Sequence, residues 1–319
     1  MPRGADVLVV GGGIVGAACA HFLARAWLAV HVVDAGLRGA THAGMGHLVV
    51  MDDNPAELAL SRLSRAWWLD RGPRMNGDLP GCAYAEPGTL WVAADDEEMQ
   101  EAARKADRLR SAGVDCELIG ARALAALEPA LRTGLAGGLK VTGDAIVYAP
   151  NAARWFLGSS RSITVEEARV ESIDEGGVRL SDGSRREARR VVLAAGLWSA
   201  SLCPELPIAP KKGHLAVTDR YPGRVRHQLV ELGYVKSAHE TSGTSVAFNV
   251  QPRPTGQLLI GSSRQFDSAD TAVEQGVLAR MLARALDYAP GLADCNVIRT
   301  WGGLRPTTPD GQPLVGAHP

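Results

Sequence analysis

Apolar residues fall along the chain in three kinds of pattern, and each predicts a different element. Val7–Val10 is a short unbroken apolar run ending in glycine, the form of a strand buried on both faces of a parallel sheet. Helical spacing begins near Ile14, and a second apolar run, Ala29–Val33, predicts the next strand. Further helices are predicted over Pro55–Asp70, over Asp95–Ala112, over Gly120–Leu131 with a stop at Pro129, and over Ala272–Tyr288. Cys82–Ala93 reads as a strand or hairpin, and Gly137–Pro150 as a strand and a loop. From Ile163 apolar and polar residues alternate around two turns, which predicts a meander before another buried strand at Val191–Ala194. Between Lys211 and Arg264 short strands are separated by Pro and Gly. An α/β unit interrupted by a β-rich second domain is the simplest account of this order.

The first strand and helix carry chemistry as well as pattern. Gly11, Gly13 and Gly16 form G-x-G-x-x-G between them. The first glycine permits a tight turn, the second lets a pyrophosphate approach the backbone, and the third lets the helix pack closely on the sheet. Amides at the start of the helix, those of Ile14 and Val15 included, would face the phosphates. The second strand runs out at Asp34 and Ala35, with the acid 18 residues beyond Gly16. A carboxylate there can accept both hydroxyls of an adenosine ribose and repels a 2′-phosphate, which disfavours NADP. Trp27 is discordant, because the turn after such a helix usually places glycine in the left-handed region. Either that turn has another shape, or the position is a local stability defect.

Composition narrows the class without naming a substrate. The 319 residues are enough for a large core and two domains. Hydrophobic residues at 46% and charged residues at 22% are ordinary for a soluble chain, and 34 Lys and Arg against 35 Asp and Glu give no reason to expect nucleic acid. No apolar run is long enough to span a bilayer, and a first strand at Val7 leaves no room for a signal peptide. Cys19, Cys82, Cys116, Cys203 and Cys295 are scattered, without a CxxC, and read as reduced thiols of a cytoplasmic protein. The acidic run Asp95–Glu98 reads as a solvated helix start, Trp67 and Trp68 as packing, and His21 as structural. Metal and serine-hydrolase chemistry lack support, since there is no H-x-x-x-H, Cys/His cluster or G-x-S-x-G.

Three later stretches resemble one family, the FAD-dependent D-amino acid oxidase family, which includes glycine oxidase, sarcosine oxidase and bacterial D-amino acid dehydrogenases. GATHAGMGHL (Gly39–Leu48) is similar to the family's loop along the flavin ring. VVLAAGLWSASL (Val191–Leu202) is similar to its strand and turn, with small residues that let the backbone approach the cofactor. WGGLRPTTPDGQPLVG (Trp301–Gly316) is the most specific of the three. GDAIVYAP (Gly143–Pro150) and QPRPTGQLLIGSS (Gln251–Ser263) extend the likeness nearly end to end. Within the family, the chain looks closest to bacterial D-hydroxyproline dehydrogenases and the hydrogen cyanide synthase subunit.

The resemblance implies a Rossmann-like α/β FAD-binding domain (residues 1–75, 140–210 and 295–319) interleaved with a β-rich α+β substrate domain (76–139 and 211–294). It implies FAD as cofactor and dehydrogenation of a D-amino or cyclic imino acid, such as D-hydroxyproline or D-proline, by hydride transfer from the α-carbon to flavin N5. A glycine or sarcosine type oxidase is the alternative. Arg305 matches the carboxylate-binding arginine, and its planar fork suits that task. His47 and His239 are further polar candidates, and the family's substrate-contacting tyrosine is replaced by Phe248, with Tyr234 in the preceding segment. FAD contacts are expected from Thr41, His42, Ala43, Gly44, Met45 and Gly46, from Val170, from Ala194, Ala195, Gly196 and Trp198, and from Gly303 and Leu304. Several such dehydrogenases work in hetero-oligomers, so partner subunits are expected, with the compartment cytoplasmic or at the inner membrane's periphery. Family members continue past the PDGxPxxG segment into a further strand and helix; a flavin-binding subunit of impaired turnover is therefore a third expectation.

Overall fold

Val7–Val10 does lie at the heart of a sheet, and the order of that sheet sets where the glycine turn points. The computed structural model describes residues 5–233, 243–266 and 268–318. Tyr234 and His239 lie outside the described residues. β1 (Ala5–Val10), α1 (Ile14–Arg25) and β2 (Val30–Asp34) open the chain, followed by α2 (Ala40–Ala43) and β3 (His47–Leu48). Next come α3 (Pro55–Asp78), β4 (Thr89–Ala93), α4 (Asp96–Ser111), β5 (Cys116–Gly120), α5 (Ala121–Leu127), β6 (Gly137–Val141), β7 (Ala145–Ile146) and α6 (Ala149–Leu157). β8 (Ile163–Glu167), β9 (Val170–Asp174), β10 (Gly177–Leu180) and β11 (Arg185–Leu193) lead to the short α7 (Ser199–Leu202). β12 (Ala209–Arg220), β13 (Gln228–Glu231), β14 (Thr244–Pro252), β15 (Gln257–Gln265), α8 (Gln275–Tyr288) and β16 (Val297–Thr307) complete it.

The first sheet has the order β8-β2-β1-β11-β10-β9, with β8, β2, β1 and β11 mutually parallel and β9 and β10 antiparallel to their neighbours. Alternation along β1 sends Val7 and Val9 to one core with Ala20 and Ala24 of α1, and Leu8 and Val10 to another with Val178 and Leu180 of β10. Burial on both faces is why this strand reads as an unbroken apolar run. The second sheet has the order β16-β12-β15-β14-β13-β4-β6-β5. One face of it packs on α8, where Phe248 stacks on Tyr288 with ring centroids 4.8 Å apart. The opposite face of β16 meets α2, and the space between the two sheets is the cleft described below. No helix among the described residues is long and apolar enough to cross a membrane.

Several boundaries differ from the sequence expectation for identifiable reasons. α3 runs to Asp78 rather than Asp70, through Pro73, because Trp68, Gly72 and Met75 continue a buried stripe at helical spacing. Gly72 is needed there, since a Cβ would lie 2.2 Å from the Tyr84 ring. The meander holds only β9, β10 and β11; β8 instead pairs parallel to β2 at the sheet edge. The strand expected at Val191–Ala194 is the end of β11, and Val191–Leu193 are half-buried because they border the cleft. Helix α8 starts at Gln275 rather than Ala272. The acidic start of α4 is not wholly solvated. Asp95 Oδ1 accepts from Glu98 N at 2.9 Å while the buried Glu98 turns back to accept from Ala94 N at 2.8 Å, a variant of the reciprocal cap.

Candidate active site

The glycine turn is shaped by contacts that leave no room for side chains. Gly11 has φ +102°, and a Cβ on it would lie 2.5 Å from the Ala194 carbonyl oxygen at the end of β11. A Cβ on Gly16 would lie 1.9 Å from Gly11 O, so helix and turn are in contact there. α1 has no side-chain cap at Gly13; Thr41 Oγ1, from α2, accepts from Ile14 N at 2.9 Å. Asp34 takes Gly12 N on Oδ2 at 2.5 Å and Gly36 N on Oδ1 at 2.8 Å, which fixes the acid beside the turn.

A cleft of about 2380 Å³ starts at this turn and runs between the sheets. Of the residues expected at a cofactor, Gly11, Gly13, Ile14, Val15, Asp34, Ala35, Thr41, His42, Gly44 and Gly46 line it. So do Val170, Ala194, Ala195, Gly196, Trp198 and Leu304. Gly16, Ala43, Met45 and Gly303 stand behind the wall instead. Gly16 seats α1, Met45 is buried with Leu215 and Leu259, and Gly303 is pressed by Ala43, whose Cβ lies 2.3 Å from where a Gly303 Cβ would be. A dinucleotide fits these residues: a cradle that any Cβ would fill, a helix start facing the cleft, a fixed acid, and room for a long ligand.

Beyond the cradle, the face of the second sheet becomes polar. Trp301 donates its indole N–H to Ala43 O at 3.0 Å, and Gly303 also meets Ala43, so alternate residues of β16 face α2. Arg305 is the next residue on that face. Its guanidinium lies flat over Gly213, where a Cβ would come within 2.6 Å of both terminal nitrogens, and Nη1 donates to Ser263 O at 3.2 Å. Directly opposite Arg305 in the register stands Lys211, which lines the cleft. Burial, then Arg264 and Arg305, hold the Lys211 ammonium below its ordinary value.

His47 sits further along the same face. Gln228 spends its Nε2 on Thr89 Oγ1 and Ala145 O, so its Oε1 must accept from His47 Nδ1, at 2.5 Å. His47 Nε2 is then an acceptor, and Asn249 Nδ2 donates to it at 3.2 Å. Burial lowers the His47 pKa, with Gln228 opposing and Arg253 adding to the shift. Arg253 donates from Nη1 to Gln251 Oε1 at 2.8 Å and lies near Met45 O and Val147 O; burial pulls its pKa to about 10. The carbonyl oxygen of Asn249 is buried and has no partner among the described residues.

Phe248 is therefore not the residue facing the site. Side chains alternate along β14, so Phe248 enters the α8 core and Asn249 takes the opposite face, where it meets His47. Sequence reasoning missed Asn249, Gln228, Gln251 and Lys211, whose places follow from strand pairings that no local motif announces.

The model of the DAO family, described as FAD dependent oxidoreductase, matches residues 6–319. The chain belongs to this family. Its cofactor is FAD, and it is an oxidoreductase. The glycine oxidase of Pseudomonas aeruginosa is 29% identical over 98% of this chain and 86% of its own length. The hydrogen cyanide synthase subunit HcnC of the same organism is 25% identical over 99% and 85%. Among solved structures, glycine oxidase from Geobacillus kaustophilus superposes with a TM-score of 0.86 at 25% identity, covering 99% of this chain and 86% of that one. L-proline dehydrogenase from P. horikoshii gives the same TM-score at 20% identity, a likeness of fold.

Proposed function

We propose that this oxidoreductase removes hydride from the α-carbon of a D-amino acid or cyclic imino acid, D-hydroxyproline or D-proline being the expected type. The observation that carries the reading is the placement of Arg305 directly opposite Lys211 on the site face, where a planar fork and a point charge can take one carboxylate between them. Arg305 binds both carboxylate oxygens with its fork, and Lys211 adds a point charge. FAD, when bound, supplies the hydride acceptor. The Cα–H bond breaks with its electron pair, the nitrogen lone pair forms C=N, and the N–H proton leaves to solvent. His47, held neutral, is packed with Gln228 and Asn249 beside the site. Fixing the carboxylate aims the α-hydrogen, and such orientation is most of the catalysis required.

Glycine oxidases among the relatives, at 27% and 29% identity, favour a second reading, a glycine or sarcosine oxidase. HcnC and an opine oxidase relative from Rhizobium meliloti are both named as subunits, and we extend that to this chain as a hetero-oligomer with an electron-accepting partner. The test is an anaerobic absorbance scan of the flavin against D-hydroxyproline, D-proline, other D-amino acids, glycine and sarcosine, followed by comparison of dye reduction with peroxide release. Bleaching by a cyclic D-imino acid with dye reduction supports the first reading. Bleaching by glycine with peroxide moves it to the second, and a flavin that no amine bleaches overturns both.

A further inference from the structure

Three ligand-bearing side chains from distant parts of the chain meet at the rim of the cleft. Cys203 follows α7, Glu205 stands two residues on, and His318 comes back from beyond β16. Cys203 Sγ lies 3.4 Å from His318 Nε2, and that nitrogen lies 3.0 Å from Glu205 Oε1. All three ligand atoms are within 4.8 Å of one another. A tetrahedral ion with bonds of about 2.3 Å to sulfur and about 2.0–2.2 Å to nitrogen and oxygen keeps its ligand atoms about 3.4–3.6 Å apart. The two spacings to His318 are close to those, and Glu205 and His318 are exposed, so small rotations would complete the fit. An ion pair explains why histidine meets glutamate; it does not call for sulfur at the third corner.

We propose that Cys203, Glu205 and His318 form a three-ligand site for Zn²⁺ or a similar borderline divalent ion. On binding, the thiol gives its proton to solvent, and thiolate and carboxylate together balance the two positive charges of the ion. All three residues line the cleft, so the fourth position opens there and takes a water. The ion fastens the segment after β16 to the wall that carries Gly196 and Trp198, one boundary of the cofactor cleft. No short motif announces the site, because its ligands are separated by 2 and then 113 residues.

Untagged, flavin-loaded protein is dialysed against micromolar Zn²⁺, then against metal-free buffer, and its zinc is counted by mass spectrometry. One zinc per chain is expected in the wild type and in Cys295→Ser. Cys203→Ser and His318→Gln should each weaken binding at least about tenfold, and His318→Cys should restore it by supplying another ligand. His318 is exposed, so its variants test the site even if Cys203→Ser fails to fold. Wild-type protein that retains no zinc, or either single variant that holds it as tightly as wild type, overturns the proposal.

Discussion

The cradle at Gly11–Gly16 and the polar face at Arg305 are built in opposite ways. In the cradle, the glycines and the acid come from 24 consecutive residues, Gly11 to Asp34, with Thr41 and Ala194 closing round them, and the turn itself is backbone. In the polar face, His47, Lys211, Gln228, Asn249, Gln251 and Arg305 arrive from β3, β12, β13, β14 and β16, and every decisive group is a side chain. Backbone amides present the same donors whatever the side chains, so the cradle depends on shape. The polar face keeps its shape through the sheet and varies its chemistry by exchanging alternate residues. Cofactor binding and substrate choice can therefore change separately.

The sharpest break of this comparison is at Gly16. A Cβ there would lie 1.9 Å from Gly11 O, and both are backbone positions that cannot rotate aside. Gly16→Ala should cost about 3 kcal/mol by overpacking, equivalent to roughly a hundredfold in flavin affinity. The flavin-to-protein absorbance ratio after gel filtration measures it. Wild-type flavin content in this variant would mean the turn does not shape the site. At the other region, Arg305→Ala should leave that ratio intact and lower kcat/KM by about a hundredfold to a thousandfold, as expected when one member of a desolvated charge pair is removed. Arg305→Lys should recover only part of the loss, because a point charge does not replace a fork. Steady-state kinetics with dye as acceptor decides, and an unchanged KM takes Arg305 out of the site.

These contrasts also explain what could be read without coordinates. Strand, turn, helix and acid lie in order at short range, so the β1–α1–β2 unit and the place of Asp34 at the end of β2 were legible. Arg305 was legible only through a resemblance, since nothing local to GLRP says which face the arginine takes. Asn249 and Lys211 were not legible at all. Their placement depends on pairings between β12 and β16 and between β14 and β15, each with one register irregularity, and a shift of one residue reverses every side chain. Glu98 was misread for a similar reason: its carboxylate turns inward to cap Ala94 N, which composition cannot show.

Lys211 offers a smaller and more discriminating test. Lys211→Gln removes a partly screened charge next to Arg305, so KM for a carboxylate substrate should rise by about threefold to tenfold, the range of a modest ion pair. Thermal stability should hold or rise, because a like-charge contact is relieved. A fall in both binding and stability would show that Lys211 supports the sheet instead. The neighbouring His47 gives a pH signature. Its folded pKa is below the unfolded one, chiefly through burial, so its stabilising contribution is present above about pH 6.5 and is lost as the pH falls toward the folded value. His21 and His214 are lowered too, again mainly by burial. Melting temperature should therefore drop from pH 7 to pH 5, and His47→Gln should make the drop shallower.

The smallest expected effect tests the cradle's own supporting structure. α1 ends with Leu28 N bonded to Leu23 O at 3.2 Å and Trp27 N to Ala24 O at 3.0 Å, and Trp27 has φ +65°. α4 ends the same way, Val114 N to Leu109 O at 2.9 Å and Gly113 N to Arg110 O at 2.8 Å, with Gly113 at φ +74°. Both are the six-residue cap that places its penultimate residue in the left-handed region, where a Cβ costs about 1–2 kcal/mol. Trp27 recovers little by packing, since it is 94% exposed. Trp27→Gly should therefore stabilise the protein by about 1 kcal/mol, a rise in Tm of roughly 2 °C for a chain of this size. Gly113→Ala should lose a similar amount from a helix far from the cofactor. A Trp27→Gly variant no more stable than wild type, beside a destabilised Gly113→Ala, would mean that the tryptophan is held by contacts outside this chain.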